Sequence, residues 1–389
     1  MKVDVTIIGA GIQGAGIAQA AAAAGYKVLV LEQTAIAAGT SSKSSKLIHG
    51  GLRYLESAQF SLVRESLAER ALLLKLAPEL VKLRHLHIPV YAHSNRSSLT
   101  IGMGLRLYRA LSGFDNSTRF QRLGPQEWDQ LPGLETQGLK QVFRYQEAQT
   151  DDAALTRAVL ASAQQFDCQL LMPAQFNGAE LHSEGAKVRY TSAGSEHTID
   201  TRVLVNCAGP WASAINMLIS PTPNLPAVEL VQGSHLLLPP LLDQAFYLES
   251  AADGRAVFAL PWQGKLLLGT TETPHQGAPE DAHCHPHEMH YLLNVLKHYF
   301  PDLHPLPSSA ESFAGLRVLP KADGSAFNRP REVMLCTDQA QQPSVLTVMG
   351  GKLTTYRATA AHALEAIKPS LATRKPLADT RELSLKPID

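Results

Sequence analysis

A strand, a glycine-rich turn, a helix, a second strand and an acid follow one another within the first 32 residues. No other stretch restricts the fold of this chain so narrowly. Val3, Val5, Ile7 and Ile8 read as a buried strand, and Gly9-Ala10-Gly11-Ile12-Gln13-Gly14 spells GxGxxG. Ala15–Ala24 reads as a helix ended by Gly25, and Val28–Leu31 as a strand closed by Glu32. That order is the βαβ unit of dinucleotide-binding proteins. Gly9 permits the tight turn, Gly11 lets backbone approach a pyrophosphate, and Gly14 allows close helix–strand packing. The helix N-terminus turns unpaired N–H groups toward the phosphates. Glu32 can accept hydrogen bonds from an adenosine ribose and would repel a 2′-phosphate, which disfavours NADP. The motif does not separate FAD from NAD.

The next segment is unusual in charge. From Gln33 to Leu55 there is no carboxylate, while Lys43, Lys46, His49 and Arg53 gather among serines, threonines and glycines. Small and hydroxylated residues let such a loop lie against a ligand, and its cations favour an anionic one. A solvated basic loop is the bland alternative, less expected directly after a cofactor-binding unit.

Composition sets the outer bounds. Thirty-five basic and 35 acidic side chains in 389 residues give zero formal charge, which argues against a general nucleic-acid binder. A hydrophobic content of 45% argues against disorder, and the length suggests two domains. Cys168, Cys207, Cys284 and Cys336 lie far apart with no CxxC pair, as expected of reduced thiols in a cytoplasmic protein. No apolar run is long enough to span a membrane.

Farther along, short motifs recur at intervals: Asp151-Asp152-Ala153, Asn206-Cys207-Ala208-Gly209-Pro210-Trp211, Gln232-Gly233-Ser234-His235, Leu260-Pro261-Trp262 and Gly269-Thr270-Thr271. Gly315-Leu316-Arg317 and Gly350-Gly351-Lys352-Leu353-Thr354-Thr355-Tyr356-Arg357 complete the set. Together with the fingerprint and the His49-Gly50-Gly51-Leu52-Arg53-Tyr54 string, they resemble FAD-dependent glycerol-3-phosphate dehydrogenases. These are the membrane-associated, quinone-linked branch of the glycine oxidase/D-amino-acid oxidase superfamily. The resemblance covers nearly the whole chain.

The fold it implies is α/β, a Rossmann-like FAD-binding domain of the GR2 type with an α+β substrate domain containing an antiparallel sheet. The FAD-binding domain is expected over 1–85, 143–220 and 315–370, the substrate domain over 86–142 and 221–314, and a tail over 371–389. Alternating stretches such as Lys187–Tyr190 read as edge or meander strands. The activity it implies is oxidation of sn-glycerol 3-phosphate to dihydroxyacetone phosphate, by hydride transfer to flavin N5 with electrons passed to a quinone or other acceptor.

The resemblance also places residues. Gly9, Gly11, Gly14, Glu32, Thr40, Ser41, Ser42, Ser45, Lys46, Leu47, His49, Ala174, Ala208, Gly209, Trp211, Gly350, Gly351, Lys352, Leu353 and Thr354 would hold FAD. Lys352 and the N-terminus of a helix expected from about Thr354 to Ile367 would stabilise reduced flavin. Alcohol oxidation needs a base, and a histidine is suited to it. His49 and His235 are both candidates. Arg53, Tyr54, Arg317 and Arg331 would hold substrate phosphate, guanidinium forks being the fitting chemistry, and Arg317 is also a catalytic candidate. Any single arginine has a surface salt bridge as its bland reading.

Two further features read more plainly. His283, Cys284, His285, His287 and His290 look like a metal cluster, but only His287 and His290 share helical i, i+3 spacing, so solvated histidines are expected and no metal. Ile101–Leu111 draws as an amphipathic helix with Leu105, Tyr108 and Leu111 on one side beside Arg106 and Arg109. That side allows peripheral contact with the inner face of the cytoplasmic membrane, although packing on its own domain is the commoner use of such a face.

Members of this family usually continue into a further helical domain. This sequence ends at Asp389, so the reading expects two catalytic domains without the third, Pro369–Asp389 as a linker, and an undetermined oligomeric state. Glu272 stands where the family typically has Asp, and Cys207 replaces a small residue. Two alternatives stay open: a related flavin enzyme acting on a 2-hydroxy acid or an amine, and a non-catalytic FAD-binding subunit.

Overall fold

A computed structural model describes residues 2–303, 310–321 and 333–388. The first strand, Lys2–Ile8, lies between Val28–Leu31 and Ser195–Asn206 and runs parallel to both. Val345–Met349 extends the sheet in parallel beyond Ser195–Asn206, and Cys168–Leu171 extends it beyond Val28–Leu31. An antiparallel meander of Ala174–His182, Gly185–Ser192 and Ser195–Asn206 adds a second wing. Lys187–Tyr190 therefore sits inside the meander, paired on both sides.

Three helices close one face of this sheet: Ile12–Ala23, Asp152–Gln164 and Tyr356–Ile367, the first packed against the other two. The first is buried nearly all round, which explains an alanine-rich sequence without charges. A Cβ on its Gly16 would come within 2.7 Å of the Tyr356 ring, so the helices meet only because one side chain is missing. The last helix begins at Tyr356, with Thr355 at its N-cap position, two residues later than expected. Gly350–Thr354 is thus a loop ahead of the helix.

A second sheet carries Val81–Tyr91 antiparallel to Leu139–Thr150, and Val228–Leu238 antiparallel to Glu311–Pro320 and Lys265–Gly269. Ala245–Glu249 links the two halves through Leu86 and His87. The short strand Leu47–Ile48, from the basic loop, pairs with Gln149 and Ala148 and so belongs to this sheet. Helix Pro286–Tyr299 packs on it, burying Leu292, Val295 and Leu296 with Phe246 and Phe300. The two sheets match the mixed parallel and antiparallel class expected.

One expectation is corrected. The segment after Pro369 is not a free linker: Leu377 and Ala378 donate N–H bonds to Ala23 O, and Leu385, buried, donates to Leu76 O. Gly25 makes this docking possible, since a Cβ there would sit 3.0 Å from Lys375 O. On helix Ser98–Leu111 the side carrying Leu105 and Tyr108 packs on its own domain, the commoner of the two uses expected of it, with both residues buried. The exposed apolar row is Leu99, Met103 and Leu107, one helical turn apart.

Candidate active site

One cavity of about 990 Å³ takes its walls from both sheets and from the loops between them. At one end it is built from backbone. Gly9 has φ +96°, and a Cβ there would lie 2.8 Å from Cys207 O, so only glycine fits between the two strand ends. Ser41 Oγ accepts from Ile12 N (2.9 Å), bringing the basic loop onto the first turn of the N-terminal helix. Glu32 accepts from Ala10 N (2.8 Å) through one oxygen and from Thr34 N (2.9 Å) through the other. Its backbone O accepts from Ala174 N (2.7 Å), which places Ala174 on the same wall. Ala208, Gly209 and Trp211 form the opposite side, and the Trp211 indole donates to Glu280 in a loop from the second sheet.

The other end is built from side chains. Thr354 Oγ1 accepts from His49 N (3.1 Å) and donates to His49 O (3.3 Å), clipping the two glycine-rich strings together. Lys352 Nζ lies 3.9 Å from the Tyr54 ring centroid, and the Arg53 guanidinium carbon 5.7 Å from the same ring. Arg317 Nη1 faces Glu272 Oε1 at 3.4 Å, and Nη2 faces Thr270 Oγ1 at 3.5 Å. Its strand pairs with that of His235, with Gly233 opposite Gly315; a Cβ on Gly233 would meet Thr270 Oγ1 at 2.6 Å and the Arg317 guanidinium at 3.0 Å. Thr40 Oγ1 donates to Leu316 O (2.9 Å), tying the basic loop to the arginine strand.

The two histidines differ. His235 is buried, its Nε2 is 2.9 Å from Ser45 Oγ, and its pKa is pulled down to about 3, by burial first and then by Arg317 and Lys46. His49 is only partly buried, lines the cavity, and presents its ring edge-on to Phe258 at 6.4 Å.

Most of the expected residues meet in this cavity: Gly9, Gly11, Glu32, Thr40, Ser41, Ser45, Leu47, His49, Arg53, Tyr54, Ala174, Ala208, Gly209, Trp211, His235, Arg317 and Gly350 through Thr354 all line it. Three do not. Gly14 is a packing position, where a Cβ would fall 2.0 Å from Gly9 O. Ser42 turns its hydroxyl to Gly39 O. Lys46 is held by Asp152 (2.6 Å) and by Ser42 O (2.7 Å), in a pair whose side chains are at most 9% exposed. Arg331 lies outside the described residues. Near Cys284, His285 stacks on His287 and meets His283 edge-to-face, with no metal-holding group among the described residues.

Sequence reasoning passed over a buried network behind His49. Tyr108 Oη accepts from Gly50 N (2.9 Å) and donates to Glu147 Oε1 (2.6 Å). Arg70 Nη1 donates to Glu147 Oε2 (2.6 Å), and Nη2 to Ser117 O and Oγ. All three side chains are at most 2% exposed. Burial pushes the Glu147 carboxyl up, and Arg70 opposes that shift. A Cβ on Gly50 would meet Tyr108 Oη at 2.4 Å, so the glycine and the network fit each other. The one signal in sequence was a carboxylate inside a strand. Gln13 was also missed: its amide packs 2.5 Å from where a Gly351 Cβ would stand. Tyr247 and Phe258 add an aromatic wall.

The donor set at the backbone end fits a dinucleotide: a helix N-terminus without a carboxylate in its first turn, a hydroxyl bridge, and a carboxylate at the second strand's end. The profile of the FAD-dependent oxidoreductase family matches residues 4–357. Glycerol-3-phosphate dehydrogenase of Pseudomonas aeruginosa is 35% identical over 390 residues, covering 96% of this chain and 73% of that protein. D-erythritol 1-phosphate dehydrogenase of Brucella abortus is 32% identical over 383 residues, covering 94% and 73%. The crystal structure of glycerol-3-phosphate dehydrogenase from Bacillus halodurans complexed with FAD superposes with a TM-score of 0.77 at 26% identity, covering 99% of this chain and 68% of that one.

Proposed function

The chain belongs to the FAD-dependent oxidoreductases and takes FAD as its cofactor, and from that premise we propose that it oxidises sn-glycerol 3-phosphate to dihydroxyacetone phosphate. The observation that carries this reading is the single cavity in which His49, Arg53, Arg317 and Lys352, from three distant parts of the chain, stand beyond a dinucleotide end. Gly9, Gly11, Ser41, Glu32 and Ala208 hold the cofactor's nucleotide half, and Gly350 through Thr354 its ring system. Bound FAD supplies a two-electron acceptor for the hydride of a secondary alcohol.

The residues of the chain do the rest. Arg53 and Arg317 bind the phosphate, Arg317 already oriented by Glu272 and Thr270. His49 takes the hydroxyl proton. His235 is the poorer base, because burial and two neighbouring cations oppose its protonation; it serves as a neutral partner to Ser45. Lys352 places a cation at the loop before the last helix, where it favours developing negative charge. Tyr247 and Phe258 exclude water from the reacting carbon.

The relative acting on D-erythritol 1-phosphate supports a second reading, a longer polyol phosphate in the same cavity. Both substrates share the phosphate and a secondary hydroxyl. Anaerobic addition of each to the yellow enzyme separates them: bleaching at lower concentration by glycerol 3-phosphate supports the first, and the reverse order the second. Bleaching by neither, with reduction by a 2-hydroxy acid or an amine, overturns both.

For the electron acceptor we propose a quinone, reached from a membrane surface. The exposed row Leu99, Met103 and Leu107, with Phe114 beyond it and Arg106 and Arg109 on the same helix, supports a peripheral contact with anionic lipid at the cytoplasmic face. No helix among the described residues is long and apolar enough to cross a membrane. Sedimentation with anionic vesicles, weakened by Leu107→Glu, tests the contact; no binding to such vesicles contradicts it.

A further inference from the structure

A second cavity, of about 390 Å³, shares one wall residue, Leu47, with the one described above. It opens where Val81–Tyr91 parts from its neighbour: Ala245–Glu249 pairs with that strand only at Leu86 and His87. Its volume lies in the range that takes a small metabolite rather than a dinucleotide.

The cavity gathers two arginines, Arg84 and Arg144, and two imidazoles, His85 and His87. His87 stands directly across the strand pair from Arg144, and His85 two residues earlier on the same strand. The pKa of His87 is lowered to about 4 and that of His85 is also lowered, in each case by burial first, with Arg144 contributing to both. The guanidinium groups meet neutral amides: Arg84 Nε donates to Gln149 Oε1 (3.2 Å), and Arg144 Nε to Gln121 Oε1 (3.1 Å). His87 therefore faces Arg144 as a neutral ring, its Nδ1 3.2 Å from Ala245 O, and the two guanidinium groups supply the positive charge of the cavity. Two carboxylates also line the cavity. Glu127 is turned to Gly124 N (2.8 Å), and Asp243 lies beside Ala245.

We propose that this cavity is a second anion site, for a small hydroxylated phosphate monoester. Arg84 and Arg144 hold the phosphate, whose oxygens accept from several directions at once, and the bound anion favours proton uptake by the two imidazoles beside it. Glu127 and Asp243 accept from the ligand's hydroxyls. The site adjoins the first cavity. Gln149, which holds Arg84, donates to Pro261 O (3.1 Å) and pairs through its backbone with Leu47, two residues before His49.

The test uses FAD-loaded enzyme and inorganic phosphate, with binding counted by equilibrium dialysis at fixed ionic strength. The wild type binds two phosphates per chain. Arg317→Met retains the site proposed here, so this count does not depend on which substrate is oxidised. Arg84→Gln combined with Arg144→Gln weakens that site at least tenfold and leaves flavin content and KM for substrate unchanged. Gln130→Trp, at an exposed wall position, blocks the same site while keeping every charge. A single phosphate per chain that disappears with Arg317→Met overturns the proposal, as does a second phosphate that survives both the charge and the blocking substitutions.

Discussion

The two ends of the main cavity are made in different ways. The nucleotide end is backbone: glycine at φ +96°, a helix N-terminus, and a carboxylate holding its own turn through Ala10 and Thr34. The end proposed for substrate is side chains from separate segments, held in place by Thr354, Gly233 and the Arg70–Glu147–Tyr108 network. Backbone geometry is fixed by local sequence, whereas side-chain geometry depends on what packs behind it. Damage at one end should therefore spare the other, and each prediction below tries to break that separation.

The largest effect is expected at His49. Replacing it with Asn should lower kcat by about a thousandfold while FAD stays bound, checked by stopped-flow reduction beside the flavin-to-protein absorbance ratio. Arg317→Met should lower kcat/KM by about a hundredfold, mostly through KM, since it removes a charge-assisted contact to phosphate. At the opposite end, Gly9→Val meets Cys207 O and adopts a strained φ. FAD affinity should fall by about a hundredfold, measured by fluorescence titration of the apoprotein, with the catalytic constant of the FAD-saturated fraction little changed.

The network behind His49 sharpens the contrast. Tyr108→Phe leaves Gly50 N and Glu147 each short of a partner inside the protein, at about 2 kcal/mol of stability. Because Gly50 follows His49, kcat should fall by about tenfold with FAD affinity unchanged. A purely structural role would lower the melting temperature and leave kcat alone.

The smallest effect is on stability against pH. His235 titrates at about 3 in the folded chain against an ordinary 6.5, so between those values the unfolded state binds the extra proton. Stability is fully present above pH 6.5 and is lost as pH falls toward 3. His235→Asn should flatten that part of the curve, read as the urea midpoint at pH 7 and at pH 4.5.

The same contrast explains what sequence revealed. Strand, glycine turn, helix and Glu32 are contiguous, and glycine is demanded by backbone approach, so this βαβ unit was legible in the sequence. Lys46 was misleading because charge alone does not say where a side chain turns; it is buried against Asp152, more than a hundred residues away. Leu105 and Tyr108 were legible as one helix face and as the side that commonly packs inward, but their buried partners Arg70 and Glu147 were not, since those come from other elements. The docked tail was invisible for a similar reason. Its contacts include backbone bonds to Ala23 and Leu76 and an Arg374–Asp4 ion pair, with Leu385 a buried anchor.

The most direct measurement is the anaerobic reduction rate of the FAD-loaded enzyme by sn-glycerol 3-phosphate and by glycerol. The two-ended cavity predicts rapid, saturable bleaching by the phosphate ester, at least a hundredfold slower bleaching by glycerol at equal concentration, and loss of that preference in Arg317→Met. Equal rates with the two alcohols, or no bleaching by the ester, would contradict it.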